Sequence, residues 1–367
     1  MGLPVDLSMV PLINSAQTIP MEFTAILSGL GLLPDGLVSR VIDRRIDRVL
    51  HRFEIMTSEE LERDETELSR RLSNSELAVS TTAANEQHYE VPAPFFEVML
   101  GPRLKYSSAF WPEGVNDLAM AEEEMLSLTA ERAGLADGQD VLELGCGWGS
   151  LCLWVAEHFP GSRVLAVTNS QSQREFVRQR ATARGLGNLE VTRADVNQFN
   201  LPPHSFDRVV SVEMFEHMKN YPALFARIGD WLRPGGKLFV HVFCHRRYAY
   251  EFDAADPGAW MARRFFTGGT MPSLTLLPSL CRNLILERRW EVNGLHYART
   301  LQAWLDRLDA SKAAARAALA AGTAAEPGRF NSWRALGEWR LFLLACRQTF
   351  TRAAGDEYMV AHYRWRT

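Results

Sequence analysis

Cysteine is scarce in this chain, and its arrangement excludes two common kinds of cross-link. The 367 residues contain five cysteines, an odd number, and no two of them form the C-x-x-C pair of zinc ligands and redox sites. A scattered, odd set predicts neither a disulfide framework nor a structural zinc site. We therefore expect free thiols, no bound metal and a reducing compartment, the cytoplasm.

A long uninterrupted hydrophobic run is also missing. The most apolar stretch near the N-terminus, residues 21–38, contains Glu22, Pro34 and Asp35 together with three glycines. A helix needs about 20 mainly apolar residues to cross a bilayer, so we expect no stable membrane insertion. The basic segment and clean apolar run of a secretory signal peptide are not found either.

The chain has no excess of positive charge. Lys and Arg together number 40 and Asp and Glu number 44, which gives a net charge of −4. Proteins that bind nucleic acids usually carry a basic surface, so we expect no nucleic-acid partner. The composition, 47% hydrophobic and 23% charged, is typical of a globular protein. Ten Trp and nineteen Phe are enough to line an apolar or aromatic pocket.

Between residues 140 and 243, short apolar runs alternate with helical patterns. Strands are predicted at Asp140–Leu144, Arg163–Thr168, Leu189–Ala194, Phe206–Val212 and Lys237–Phe243, and helices at Leu151–His158, Gln171–Arg184 and Tyr221–Leu232. Parallel strands need crossover helices, so this alternation predicts an α/β fold with a doubly wound, Rossmann-like sheet covered on both faces.

The flanking regions have a different pattern. Residues 36–80 and 300–350 are predicted to be helical, and the helix near residue 40 has an apolar stripe that suits packing on the main domain or on a partner. Late strands are predicted at Leu284–Val292 and Tyr358–Trp365. We expect these two strands to complete the sheet as a hairpin, with the helices between them forming a cap.

A glycine-rich turn follows the first predicted strand. Glu143 is followed by Gly145, Gly147 and Gly149. Glycine allows left-handed backbone angles and close approach of a ligand to the main chain. The turn lies at the carboxyl end of its strand, which is where open α/β sheets bind ligands.

This turn departs from the dinucleotide-binding fingerprint. The third glycine comes one position early, Ser150 stands in its place, and the second strand ends at Asn169 without the carboxylate that would bind a ribose. Glu143 would repel a diphosphate, whereas it would attract a ligand that carries an ammonium and a sulfonium group. The pattern favours a nucleoside sulfonium over NAD, and a turn that serves only tight packing is the remaining alternative.

Asp195 follows the third predicted strand. Its carboxylate could bind the amino group of adenine, and an N-cap of a helix is the structural alternative.

A cluster of two carboxylates and a histidine follows the fourth predicted strand. Glu213, Glu216 and His217 would lie beside the glycine turn, because the carboxyl ends of parallel strands meet at one edge of the sheet. Methyl transfer to an amine requires a free lone pair on nitrogen. A histidine, with an ordinary pKa of about 6.5, can remove the ammonium proton near neutral pH. The glutamates would orient the imidazole or attract the ammonium, and the alternative for His217 is a capping or packing role.

Several stretches together resemble one enzyme family. They are Asn85–Glu90, Leu104–Ser107, the Gly145 turn with Trp148, Thr168–Ser170, Glu213–Tyr221, Phe239–His245, Phe265–Ser273 and Val292–Tyr297. Over roughly residues 80–367 the chain resembles the cyclopropane-fatty-acid-synthase-like methyltransferases. Within that group it is most similar to the coclaurine and related benzylisoquinoline-alkaloid N-methyltransferases of plants.

The resemblance implies a class I methyltransferase fold, S-adenosylmethionine as the cofactor and a small-molecule amine as the partner. Implied cofactor contacts are Tyr106, Ser107, Glu143, Gly145, Gly147, Asn169, Gln173, Asp195 and Val196. Glu216 and His217 are implied to serve the acceptor amine with Glu213 beside them. The implied aromatic walls of the acceptor site are Tyr89, Phe243, Phe266 and Trp333. A homodimer is compatible with this sequence.

The resemblance and the patterns together predict five regions. They are an N-terminal helical extension (1–80), a helical lid or bridge over the cofactor (81–135), a cofactor-binding core (136–295), a helical cap (296–350) and a final strand of the core sheet (351–367).

Two other functions are compatible with the sequence. A lipid-modifying synthase that adds a methylene group to an acyl double bond would need a bound anion as its base and a long acyl channel. A non-enzymatic cofactor-binding regulator would not need the intact Glu–Glu–His cluster, which argues against it.

Overall fold

A seven-stranded sheet forms the centre of the protein. The computed structural model describes residues 21–79, 91–252, 260–322 and 332–367. The strands are β1 (Asp140–Leu144), β2 (Arg163–Thr168), β3 (Leu189–Arg193), β4 (Phe206–Val212), β5 (Leu232–His245), β8 (Ile285–Val292) and β9 (Tyr358–Arg366), and a separate two-stranded ribbon consists of β6 (Tyr250–Glu251) and β7 (Thr270–Met271).

Helices occupy both faces and one end of this sheet. Among the described residues they are α1 (Met21–Gly29), α2 (Asp35–Glu54), α3 (Ser58–Ser73), α4 (Ala93–Met99), α5 (Leu118–Ala133), α6 (Ser150–His158), α7 (Gln171–Ala183), α8 (Tyr221–Trp231), α9 (Trp260–Phe265), α10 (Leu276–Leu280), α11 (Gly294–Ala310), α12 (Lys312–Gly322) and α13 (Ser332–Thr351). None of these helices has the length and apolar composition that crossing a bilayer requires.

The order of the strands confirms the predicted fold class. It is β3-β2-β1-β4-β5-β9-β8, in which the first five strands are parallel and β9 runs antiparallel to both of its neighbours, β5 and β8. The two late strands therefore complete the sheet as predicted. β5 starts five residues earlier than expected, because Leu232 pairs with Phe206 before the register shifts to Arg208 and Lys237. The interrupting Pro-Gly-Gly at residues 234–236 is accommodated as an irregularity inside the strand.

Two hydrophobic clusters cover the faces of the sheet. One contains Leu151 and Val155 of α6 and Val177 of α7 against the strands. The other contains Leu224 and Ile228 of α8 on the opposite side. The central strands bury apolar side chains toward both clusters, including Leu142 of β1 and Val209 of β4 on one side and Val141 of β1 and Val210 of β4 on the other.

A third cluster builds the cap over the carboxyl edge of the sheet. It joins α11, α12 and α13 to the N-terminal helices, with buried side chains that include Ala25 of α1, Val38 of α2, and Leu301 and Leu336 of the cap. Polar contacts add to this packing, because the Gln348 amide donates to the Asp43 carboxylate. The helix near residue 40 thus packs on its own protein, one of the two placements expected. The five-region division of the chain stays a prediction.

The cap depends on a close crossing between α1 and α13. A Cβ atom at Gly337 would lie 1.7 Å from the Ala25 carbonyl oxygen, and one at Gly29 would lie 2.3 Å from the Trp333 carbonyl oxygen. The two helices can approach this closely only because both positions lack side chains.

We therefore expect Gly337→Ala to lower the free energy of unfolding by about 1–3 kcal/mol, because overpacking of this size forces backbone shifts. Denaturant titration measures this change. Gly36→Ala is the matched control, since a Cβ there meets nothing within 4 Å; it should leave stability unchanged or raise it by about 0.4–1 kcal/mol. Equal effects of the two substitutions would contradict the close crossing.

Candidate active site

A cavity of about 730 Å³ lies between the carboxyl ends of the parallel strands and the cap. Ligand pockets commonly occupy about 300–1,000 Å³. Thirteen of the predicted site residues line this one cavity: Tyr106, Ser107, Glu143, Gly145, Gly147, Asn169, Gln173, Asp195, Val196, Glu213, His217, Phe243 and Phe266. β1 and β4 are adjacent and parallel, which brings the glycine turn and the Glu213–His217 segment to the same edge.

Three predicted residues are not among the lining residues. Glu216 lies behind the cavity wall and is fully buried. Trp333 lies apart from the lining side chains, with the Arg316 guanidinium 3.5 Å from the centroid of its ring. Its predicted place around the acceptor gains no support from this geometry, because α13 turns residue 333 toward α1 and α12. Tyr89 lies outside the described residues.

The glycine turn has left-handed geometry and touches the segment after β4. The φ angles are +82° at Gly145 and +52° at Gly147. A Cβ atom at Gly145 would lie 2.8 Å from Cβ of Met214, whereas one at Gly147 would meet nothing within 4 Å. Gly145 therefore allows the two segments to pack together, and Gly147 leaves open space beside the turn.

Several buried polar atoms around the turn have no hydrogen-bond partner within the part of the chain that the structure describes. They are Oε2 of Glu143, Nε1 of Trp148, Oγ of Ser150 and Nε2 of Gln173, all on residues that line the cavity. Buried polar groups are usually hydrogen-bonded, so this set is suited to a ligand that offers both donors and acceptors. The side chains present thus fit an amino-acid and nucleoside ligand such as the predicted cofactor.

Burial changes the charge state of Glu143. It raises the pKa of Glu143 to about 7, and contacts with Cys152 partly oppose this effect. A cationic group beside the carboxylate would favour its ionised form. Glu143 is therefore positioned to respond to a positively charged ligand.

Asp195 does not cap a helix, since the described residues after it form a turn. Its Oδ1 accepts a hydrogen bond from the backbone N–H of Asn197 at 2.9 Å within this turn, and its contact with adenine stays a prediction. The residue is also exposed and lines the cavity. Near it, the fully buried Gln173 accepts from the Thr168 hydroxyl at 2.7 Å, which orients the Gln173 amide.

Glu213 is held in a strained conformation by three donors. Its φ angle is +48°, a left-handed value that non-glycine residues adopt only when their surroundings fix it. Oε1 accepts from the Ser108 backbone N–H at 2.9 Å and lies 3.1 Å from Nε2 of His241, while Oε2 accepts from the Tyr297 hydroxyl at 2.7 Å. Burial raises the pKa of Glu213, and the bonds from Ser108 and Tyr297 lower it.

Lys105 is a buried cation beside this carboxylate that the sequence patterns did not single out. Its Nζ donates to Ser107 Oγ at 2.5 Å and to the Ser108 carbonyl oxygen at 2.7 Å. Burial lowers the pKa of Lys105 to about 8, and nearby carboxylates, Glu213 first among them, oppose that shift. The stretch 104–107 was recognised from its resemblance, but only the fold brings this ammonium against residues of β4.

Glu216 has a different position from the one predicted. Its Oε1 accepts from the Phe243 backbone N–H at 2.8 Å, and its Oε2 is buried without a hydrogen bond. Burial, followed by repulsion from Glu213, raises the pKa of Glu216 well above its usual range. The short 3₁₀ turn Phe215–His217 points Glu216 inward, so Glu216 supports the Phe243 strand and is not among the residues that line the cavity.

An aromatic wall faces the other end of the cavity. The His217 and Phe266 rings are nearly parallel with centroids 6.3 Å apart, and Phe243 meets Phe266 edge-on at 6.0 Å. Phe252 and Phe342 pack on Phe266 at 5.1 and 5.9 Å and were not predicted. Phe252 directly follows β6 and Phe342 belongs to α13, and no local sequence motif places either residue near the strands of the main sheet.

The N-terminal helix α2 completes the cavity. Val38, Ile42 and Ile46 recur at intervals of four residues on one helical face and line the cavity. Leu341 and Ala345 of α13 line it as well. The role of residues 1–80 was not predictable from a motif, since a stripe of this kind serves equally well for ordinary core packing.

Comparison with known proteins places this site in a family. The family model described as mycolic acid cyclopropane synthetase matches residues 78–357. The (S)-coclaurine N-methyltransferase of Thalictrum flavum subsp. glaucum is 36% identical over 335 residues, which cover 91% of this chain and 92% of that protein. The cyclopropane-fatty-acyl-phospholipid synthase of Escherichia coli (strain K12) is 30% identical over 239 residues, which cover 65% of this chain and 59% of that protein.

A solved structure agrees with this similarity. The crystal structure of coclaurine N-methyltransferase bound to N-methylheliamine and SAH has a TM-score of 0.88 and 31% sequence identity, covering 95% of this chain and 100% of that one. The match extends over the sheet, the cap and the N-terminal helices. The resemblance inferred from the motifs is thereby confirmed, and the chain belongs to the mycolic acid cyclopropane synthetase family.

Proposed function

We propose that this protein is an S-adenosylmethionine-dependent methyltransferase whose acceptor is the nitrogen of a small aromatic, alkaloid-like amine. One observation carries the proposal: the Glu213 carboxylate, the His217 imidazole and an aromatic wall line the same cavity as the glycine turn and its unpartnered polar atoms. Relatives that match most of the chain are named as N-methyltransferases of coclaurine and pavine.

The glycine-turn side of the cavity suits the cofactor. Glu143 would bind the ammonium group in the methionine part of the cofactor, and Asn169 would bind the ribose. Asp195 and Gln173 would lie beside the adenine. When bound, S-adenosylmethionine supplies a methyl group on a positively charged sulfur. The open space at Gly147 lets the backbone approach this ligand, since no side chain intervenes.

The other side of the cavity suits an amine. Glu213 would attract the ammonium form, and the rings of Phe243 and Phe266 would stabilise its positive charge through their faces. His217 would take the ammonium proton, and Glu213 would then stabilise the imidazolium. General-base catalysis of this kind contributes about 10²–10⁴-fold, and alignment in the closed cavity contributes the larger part.

The cell compartment and the oligomeric state extend this proposal. All five cysteines are free, and we propose a reducing location, the cytoplasm. We propose further that the protein can form a homodimer. Sedimentation of the purified protein would give the number of chains.

A labelled-methyl transfer assay tests the acceptor class. Purified protein should methylate at least one member of a panel of arylethylamines and isoquinolines and should leave unsaturated phospholipid vesicles unmodified. Mass spectrometry should place the label on nitrogen. Modification of the phospholipid with no amine accepted would replace the proposal by the lipid-synthase alternative.

His217→Ala should lower kcat for the amine by about 10²–10⁴-fold, because the base is lost, and should leave cofactor affinity within a few-fold. Steady-state kinetics and calorimetry measure the two quantities. His51→Ala is the matched control, since the His51 side chain is 69% exposed on α2. Unchanged kcat near pH 7 in His217→Ala would reject the assignment of the base.

Cofactor affinity should fall as the pH is lowered through about 7. Burial raises the pKa of Glu143 to about 7 in the free protein, and a cationic ligand favours the carboxylate. Binding below that pH must therefore release a proton, which weakens affinity by at most about tenfold per pH unit.

Calorimetry from pH 6 to 8, in buffers of different ionisation enthalpy, measures both the affinity and the number of protons released. Glu143→Gln should bind the cofactor more weakly at pH 8 and should release fewer protons at pH 6. An unaltered pH dependence in this variant would show that another group is responsible.

A further inference from the structure

Four side chains form a hydrogen-bonded row that leads from the side of the protein to Glu213. Nη1 of Arg132 lies 2.8 Å from Nδ1 of His362, and Nε2 of His362 lies 3.0 Å from Nδ1 of His241. Nε2 of His241 lies 3.1 Å from Oε1 of Glu213. The row thus uses both nitrogens of each imidazole.

The fold explains why the two histidines meet. His241 of β5 and His362 of β9 are directly paired in the antiparallel register, and both are fully buried. Cross-strand pairs of this kind share one face of the sheet. Arg132, in the last turn of α5, reaches the row from outside and lies over the ring of Trp290 with 5.2 Å to its centroid.

One end of the row fixes the position of every proton in it. A guanidinium has donors only and stays protonated, so Nδ1 of His362 must accept. A neutral His362 then carries its proton on Nε2 and donates to Nδ1 of His241. His241 in turn carries its proton on Nε2 and donates to Glu213. Each ring is thereby neutral, with a single tautomer.

The surroundings keep the pair neutral. Burial lowers the pKa of both histidines well below the usual range, and the positive charges of Arg132 and Lys105 act in the same direction. A protonated pair would place a second positive charge against Glu213 and cancel its field in the cavity. The charged and titratable groups that face the row or Glu213 are Lys105 before α5, Arg132 of α5, Glu216 and His217 after β4, Tyr297 of α11 and Cys346 of α13.

We propose that Arg132 and His362 are positioning residues that hold His241 neutral, with its proton on Nε2, so that no second positive charge joins Lys105 beside Glu213 and the carboxylate remains available to the acceptor ammonium. The proton positions follow from the geometry alone. The use of the charge for an amine rests on the proposed function.

The histidine states can be measured without any substrate. In the full-length protein labelled with ¹⁵N-histidine, long-range ¹H–¹⁵N spectra should show His241 and His362 protonated on Nε2 alone from pH 5.5 to 8. In Arg132→Met the obligatory donor and the charge are lost, so Nδ1 of His362 should gain a proton within this range. A proton on Nδ1 of either ring in the wild type, or a pair in Arg132→Met that stays neutral at pH 5.5, would overturn the proposal.

Two further variants separate this effect from a loss of structure. Arg288→Met removes another guanidinium from the Trp290 ring, 5.1 Å from its centroid, without touching His362, and it should retain the wild-type histidine spectra. Arg132→Lys keeps a cation and an obligatory donor and should retain them as well. If Arg132→Met does not fold, Arg132→Gln replaces it in the experiment. The amide oxygen of this glutamine can accept a hydrogen bond from a protonated Nδ1 of His362, which the arginine cannot do.

The kinetic consequence distinguishes failure of this proposal from failure of the proposed function. Between pH 8 and 6, the KM for a cationic amine should rise about tenfold more in Arg132→Met than in the wild type or Arg288→Met, while the KM for the cofactor should change equally in all three. An equal rise for the amine in all three would overturn the link to the acceptor. If no amine is methylated by the wild type, the proposed function fails, and the spectra still decide the proton positions.

Discussion

The Glu213 carboxylate is bound by a backbone N–H of the segment before α5, by a hydroxyl of α11 and by an imidazole of β5. These donors lie 105, 84 and 28 positions from Glu213 in the sequence. A buried carboxylate without such partners would lose its charge, because burial favours the neutral form. The contacts therefore oppose the effect of burial on the pKa of Glu213 and, at the same time, tie the bridge, the cap and the sheet to the end of β4.

The surrounding structure follows from this constraint. The left-handed φ of Glu213 persists because three segments hold its side chain. Gly145 can have no side chain, because the segment after Glu213 packs against the glycine turn through Met214. Glu216, one turn further on, supports Phe243 by accepting a hydrogen bond from its backbone N–H. Two glutamates only three positions apart thus have different surroundings, with three donors and a nearby lysine around Glu213 and one backbone donor at Glu216.

The family contains proteins named for two kinds of chemistry, N-methylation of alkaloids and modification of fatty acyl phospholipids. Around the sheet, the cavity walls of this chain are apolar and aromatic: Val38 and Ile42 from α2, Phe342 from α13 and Phe266 from the segment before α10. These walls favour a compact, aromatic acceptor. An anion that belongs to the protein, Glu213, is available beside them for a cationic amine.

The sequence by itself determined the alternation of strands and helices, the family, and the set of residues around the glycine turn. These signals are local, because a buried strand such as Asp140–Leu144 and the glycine pattern after it can each be recognised from about ten consecutive residues. Sequence reasoning missed Lys105, His241, Tyr297 and His362, although the first three lie in stretches recognised by resemblance. A single buried histidine or lysine carries no local mark of its partner.

Only the tertiary structure decided which polar groups meet and what charge they carry. The register of β5 and β9 pairs His241 with His362, and the crossing of α1 and α13 brings α2 over the cavity. The tertiary structure also leaves Glu216 and Trp333 outside the set of residues that line the cavity. The position of a residue along its helix and its burial, rather than its type, decide which way its side chain faces. Burial, hydrogen-bond direction and pKa depend on neighbours that are distant in sequence, and the fold alone supplies those neighbours.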